Sequence, residues 1–142
     1  MLRNRLRTLG ISRQVQVRSA GTRVGQPGRK PDPRVKRLAR EMGFPLGRIR
    51  ARQVTAAMIE SSDLVLVMEA AHAIEVNEMT AAGDLSHGIF ILGSFFPPEM
   101  SGDAAIPDPY YGDWQGFLAV FDRVDRALDG VVSHIQRQPG LV

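Results

Sequence analysis

Asp108-Pro109-Tyr110-Tyr111-Gly112 is the segment best suited by residue type to do chemistry. A carboxyl group beside two aromatic rings can act as a general acid at a slot whose walls are the rings. The same five residues also read as a proline-stabilised turn whose tyrosines cover a sheet edge, and spacing alone does not choose between the two. A second candidate runs from Ser19-Ala20-Gly21-Thr22 to Gly28 and is rich in glycine. Backbone amides in such loops can cradle anions. The segment fits neither the P-loop nor the dinucleotide pattern, and it reads first as a structural turn. His72, His87 and His134 share no metal-ligand spacing and are read as solvent-facing. Met58, Met68, Met79 and Met100 are read as core fillers or loop residues. The 142 residues include no cysteine, which excludes a disulfide framework, a thiolate zinc site, an iron–sulfur cluster and a cysteine nucleophile.

Elements that hold these residues can be read from the periodicity. Leu2, Leu6 and Leu9 recur at helical spacing from the first residue, with Gly10 as a stop. Val15 and Val17 alternate with polar residues up to Ser19, which predicts a strand over 15–19. Asp32-Pro33 opens a helix lined by Val35, Leu38, Ala39 and Met42, and Thr55 caps a short one to about Ser61. Asp63 to Met68 is a continuous apolar run, as expected of a parallel strand covered on both faces. A helix around 70–81 and a second buried-type strand over Ile89–Leu92 follow, then loop chemistry from Gly93 to Gly112. Phe117, Val120, Phe121, Val124, Leu128, Val131 and Ile135 form one stripe of a long last helix. Alternating strands and helices predict a three-layer α/β/α fold with a parallel sheet, in a single domain over 1–142.

Charge divides the chain. Residues 1–52 hold 15 basic and 2 acidic side chains, and residues 53–142 hold 3 basic and 13 acidic ones. A basic half folded onto an acidic half explains this first, an anion or phosphate-ester face second. A nucleic-acid arm would call for interleaved aromatics, and the basic segment has only Phe44, so no nucleic-acid partner is expected. No apolar run reaches the roughly 18 residues of a membrane span.

Taken in order, Val17-Arg18-Ser19-Ala20-Gly21-Thr22, Asp32-Pro33-Arg34, Arg50-Ala51-Arg52, Asp63 to Met68, and Asp108 to Gly112 with Phe117 and Val120 after it resemble the low-molecular-weight protein tyrosine phosphatases. The aromatic block is the most specific of these, and it makes the arsenate reductases of the same fold a weaker match. The resemblance implies phosphotyrosine hydrolysis through a cysteinyl-phosphate, with a Cys-x5-Arg-Ser loop as nucleophile and phosphate cradle. It implies that Asp108 protonates the leaving phenol, that Tyr110 and Tyr111 border the substrate slot, and that Ser19 braces the phosphate loop. It implies no metal or cofactor, a cytoplasmic protein, and a phosphotyrosine protein as substrate, with the tyrosine kinases of bacterial polysaccharide export as a candidate.

The chain departs from that pattern at its start. Met1-Leu2-Arg3 matches the middle of the family's first helix, so the strand and Cys-x5-Arg loop before it have no counterpart in these residues. The family's strand order 2-1-3-4 makes that strand central. Its absence leaves the strands at 15–19 and 64–68 without a neighbour, at about 1–3 kcal/mol for each buried unpaired group. The expectations are a start placed too late, a strand recruited from a partner, or a rearranged sheet. A loop aromatic of the family falls at Gly25, which implies a wider slot. The chain is therefore expected to be an incomplete phosphatase, inactive as given. The alternative is a catalytically dead module that holds an acidic or phosphorylated partner.

Overall fold

Local capping signals set most helix boundaries in the computed structural model, which describes residues 1–44, 46–80, 88–100, 102–108 and 113–138. The first helix, α1, spans Leu2–Thr8 and buries Leu6. Asp32 then caps α2 (Pro33–Glu41) by accepting from the Arg34 amide at 2.7 Å. Thr55 likewise caps α3 (Ala56–Glu60), accepting from the Met58 amide at 3.3 Å. After strand β1 (Val65–Val67) come α4 (Ala70–Glu78) and strand β2 (Ile89–Ile91). Two 3-10 turns, Leu92–Phe95 and Pro98–Met100, occupy part of the stretch read as loop. The long helix α5, Trp114–Arg137, is capped by Asp113, which accepts from the Gly116 amide.

β1 and β2 pair in parallel, with Val65 opposite Ile89 and Val67 opposite Ile91. Side chains of a strand alternate between faces, and here the alternation sorts the core into two clusters. Val65, Val67, Ile89 and Ile91 pack with Ile59 and Val76 beneath α3 and α4. Leu64 and Leu66 point the other way, into a cluster of Leu92, Ile106, Ala127, Leu128, Val131 and Ile135 built on α5. Leu2 of α1 and Val15 join that second cluster. Helices thus cover both faces of a parallel sheet, the three-layer α/β/α architecture expected.

The strand expected over 15–19 is not formed. Among the described residues the sheet has two strands, and the only bridge near this segment joins Gly21 to Gln53. Val15 and Val17 are half-buried while Gln16 and Arg18 are exposed, so the alternation is present and the ladder is not. A period-2 pattern decides which side chains turn inward; the hydrogen bonds need a second backbone alongside, and none lies there.

The opposite charges of the two halves do meet. Arg5 pairs with Asp125 at 2.8 Å and with Asp129, and Arg23 pairs with Glu75. Arg34 lies over the Phe117 ring at 4.4 Å and Arg37 over Trp114 at 5.1 Å. Among the described residues no helix is long and apolar enough to cross a membrane.

Candidate active site

Ligand chemistry in parallel α/β sheets gathers beyond the carboxyl ends of the strands. At that end of β1 the Met68 carbonyl accepts from the Ile106 amide at 2.9 Å, and Ile106 is buried against α5. This bond fixes the segment 102–108, and two residues further on it delivers Asp108, exposed at the surface. Ser19, also exposed, borders a cavity of about 390 Å³ whose wall includes Met68. The structure therefore brings Ser19 and the base of the Asp108 segment to the same end of the sheet. Tyr110 and Tyr111 lie outside the described residues, as does His87.

Two side chains that periodicity and motif reading passed over hold this region. Arg123 on α5 donates from Nη2 to the carbonyls of Asp103 at 2.6 Å and Ala105 at 2.9 Å, and its guanidinium stacks over Phe96 at 4.9 Å. It ties the Asp108 segment to the long helix. The only signal in the sequence was an arginine on a helix face otherwise read as solvated. Gln53 does the equivalent for the loop after Ser19. Its Oε1 accepts from the Val24 amide at 2.9 Å and its Nε2 donates to the Thr22 carbonyl at 2.6 Å. No local pattern marks a glutamine for that task.

The same loop is bonded to a neighbouring segment. Gly21 N donates to Arg52 O, Val54 N to Gly21 O, Gly28 N to Ala51 O, and Ala51 N to Arg29 O, all at 2.8–2.9 Å. With Val24 N taken by Gln53, three amides of the loop, those of Gly21, Val24 and Gly28, are committed inside the protein. The segment 19–28 is stitched to residues 51–54, as the structural-turn reading expects. Gly25 stands in open space, where an added Cβ would meet nothing within 4 Å.

Two carboxyls elsewhere in the fold are held in their charged forms. The Thr22 hydroxyl, and then Arg23, hold the Glu75 carboxyl below the usual carboxylate range. Arg34 does the same to Asp32 through its side chain and its backbone amide. Of the histidines read as solvent-facing, His72 is half-buried and lies 3.6 Å from Glu69. His134 corrects the expectation further. Its ring is half-buried, packing edge-on against Phe95 at 5.4 Å and against Phe90 at 5.7 Å. The reason is that Phe90 turns to the α5 side of the sheet, where His134 lies. Among the described residues no group of three or more side chains is arranged to hold a metal.

A parallel sheet sandwiched by helices, with an aspartate-bearing segment and a glycine-rich turn at its carboxyl end, defines a three-layer α/β domain. Comparison with known proteins narrows that class. The profile of the low molecular weight phosphotyrosine protein phosphatases matches residues 1–140, and the chain belongs to that family. It is 28% identical over 138 residues to the low molecular weight protein-tyrosine-phosphatase of Streptomyces coelicolor, covering 97% of this chain and 84% of that one. It is 31% identical over 131 residues to low molecular weight protein-tyrosine phosphatase A of Mycobacterium tuberculosis, covering 92% and 77%. The crystal structure of YfkJ from Bacillus subtilis superposes with a TM-score of 0.85 at 24% identity, over 97% of this chain and 84% of that one, a likeness of fold.

Proposed function

We propose that this chain carries the acid side of a protein-tyrosine phosphatase, with Asp108 as the group that protonates the leaving phenol. In that reaction a thiolate attacks phosphorus, the P–O bond to the tyrosine ring breaks, and the departing phenolate takes a proton from Asp108. Tyr110 and Tyr111 border the ring slot and Ser19 braces the phosphate-binding loop. The thiolate has no counterpart among the 142 residues. The chain as given is accordingly inactive. One observation carries the Asp108 assignment: the Ile106–Met68 bond sets its segment at the carboxyl end of β1. The substrate is a phosphotyrosine protein, and the reaction belongs in the cytoplasm, where ATP-using kinases make such proteins. A tyrosine kinase of polysaccharide export is the candidate substrate that the family resemblance suggests.

The test uses two proteins. The chain alone, with p-nitrophenyl phosphate, is expected to show no turnover. A fusion placing a family-type apolar strand and Cys-x5-Arg-Ser loop before Met1 is expected to hydrolyse aryl phosphates. In it, Asp108→Asn should slow poor leaving groups by about 10²–10⁴-fold and good ones much less. Equal loss for both would remove Asp108 from the general-acid role. A second reading, a non-catalytic module for acidic or phosphorylated partners, draws support from the basic half. It requires salt-dependent binding of a phosphotyrosine peptide by the chain alone, and flat calorimetric titrations at low salt would sink it.

A further inference from the structure

Part of the basic half has no acid to meet, and helix α1 marks the division. Arg5 turns toward α5 and pairs with Asp125 and Asp129. Arg3, two residues earlier, turns away from α5 and donates from Nε and Nη2 to the Val17 carbonyl, at 3.1 and 2.5 Å. Arg18 is held in a similar way, its Nε and Nη2 donating to the Gln16 side-chain oxygen at 2.9 and 2.6 Å. Both acceptors are neutral. They fix the planes of the two guanidiniums and leave their charges uncompensated.

A cavity of about 490 Å³ between α1 and the segment 12–18 is bordered by Arg3, Arg18 and Arg52, all three exposed. No carboxylate lines it, and among the described residues none of these arginines forms an ion pair. The buried Leu6 and the half-buried Val15 and Val17 supply its apolar lining.

Three like charges around one concavity repel each other and focus a positive potential into it. An anion relieves that, and the lining selects which kind. A single small ion would leave the arginines in water and the apolar lining uncovered. No aromatic ring borders the cavity for a nucleic-acid base to stack on. A bilayer surface is flat and does not enter a concavity. A glutamate-rich peptide meets both features: its carboxylates reach separate guanidiniums in two-pronged geometry, and its methylenes cover the leucine and valines. Arg18 also borders the cavity beside Ser19, so a peptide held here runs up to the candidate active site from outside it.

We infer that Arg3, Arg18 and Arg52 form a docking site for an acidic segment of a partner polypeptide. The inference does not rest on the role of Asp108, and it needs no phosphoryl group on the partner.

The probe is the blocked peptide acetyl-Glu-Glu-Leu-Glu-Glu-Glu-amide, titrated into the isotope-labelled full chain. The amides of Val15–Arg18 and the Nε–H signals of Arg3, Arg18 and Arg52 are expected to shift and saturate. Binding should weaken about tenfold as salt rises from about 0.05 M to about 0.5 M. Arg18→Gln and Arg52→Gln should each weaken it by about two- to fivefold, and together by about tenfold. Arg40→Gln removes an exposed charge of α2 that does not border the cavity, and should leave binding unchanged. Several results would overturn the proposal: no saturable shift at low salt, the same shifts from the all-glutamine peptide, or an equal loss in Arg40→Gln. So would saturation of the same signals by inorganic phosphate at matched charge, or tighter binding of a DNA duplex or of phosphatidylserine vesicles at the same salt. Binding of a phosphotyrosine peptide without binding of the glutamate peptide would remove this site and leave the phosphatase reading standing.

Discussion

Gln53 is one amide side chain with both of its functions in use, an acceptor for Val24 and a donor to Thr22. Truncating it leaves a half-buried amide and a half-buried carbonyl to find new partners. Gln53→Ala is expected to cost about 1–3 kcal/mol in urea unfolding. Gln53→Glu should cost a comparable amount, because a carboxylate still accepts from Val24 but cannot donate to Thr22. If Gln53→Glu matched the parent, the Thr22 contact would be irrelevant to stability. Residues of this kind could not be read ahead of the structure. Asp32 and Thr55 could, because a cap and its amide lie two or three residues apart. Gln53 lies 29 and 31 residues from its partners, and Arg123 lies 18 and 20 from its own. Asp108 was legible as a candidate from its aromatic neighbours, but the bond that places its segment belongs to Ile106 and Met68.

Among the elements, the 3-10 turn Leu92–Phe95 meets α5 and the segment 102–108 at close range, and one glycine makes each approach possible. A Cβ on Gly130 would sit 2.3 Å from the Phe95 carbonyl oxygen, and one on Gly93 would sit 2.0 Å from that of Ala104. Gly130→Ala should gain up to about 1 kcal/mol as helix propensity. The clash is with backbone, which cannot swing aside, so a net loss of stability is expected, in the range of about 1–3 kcal/mol for overpacking. Thermal denaturation checks the sign, and a raised midpoint would mean that the turn shifts freely. The long stripe of α5 was readable because seven apolar residues at one period leave few alternatives. The apolar run that became β1 was readable for a different reason, as a short continuous run suited to a strand covered on both faces. The segment at 15–19 shows where that method stops. Alternation there was correct and pairing was absent, since a ladder is a property of two segments.

For the molecule as a whole, the divided charge becomes a set of contacts between distant parts of the chain. Their dependence on acid follows from Glu75. Its carboxyl titrates below the ordinary range, so the folded state favours the charged form. The stability this adds is fully present above the ordinary carboxylate value, about 4.3, and drains as pH falls through the lower folded value. Unfolding midpoints should therefore drop between about pH 5 and pH 3, and less steeply in Glu75→Gln. An unchanged slope in that variant would assign the acid response to other carboxylates. Arg5 reaches across 120 residues to the Asp125 carbonyl and 124 to the Asp129 carboxylate. During synthesis, at about 5–20 residues per second, α1 would wait on the order of 6–25 seconds for the surface it packs against. Until α5 has cleared the ribosome, Leu2 lacks the α5 cluster it packs against, and this apolar face of α1 stays open to solvent.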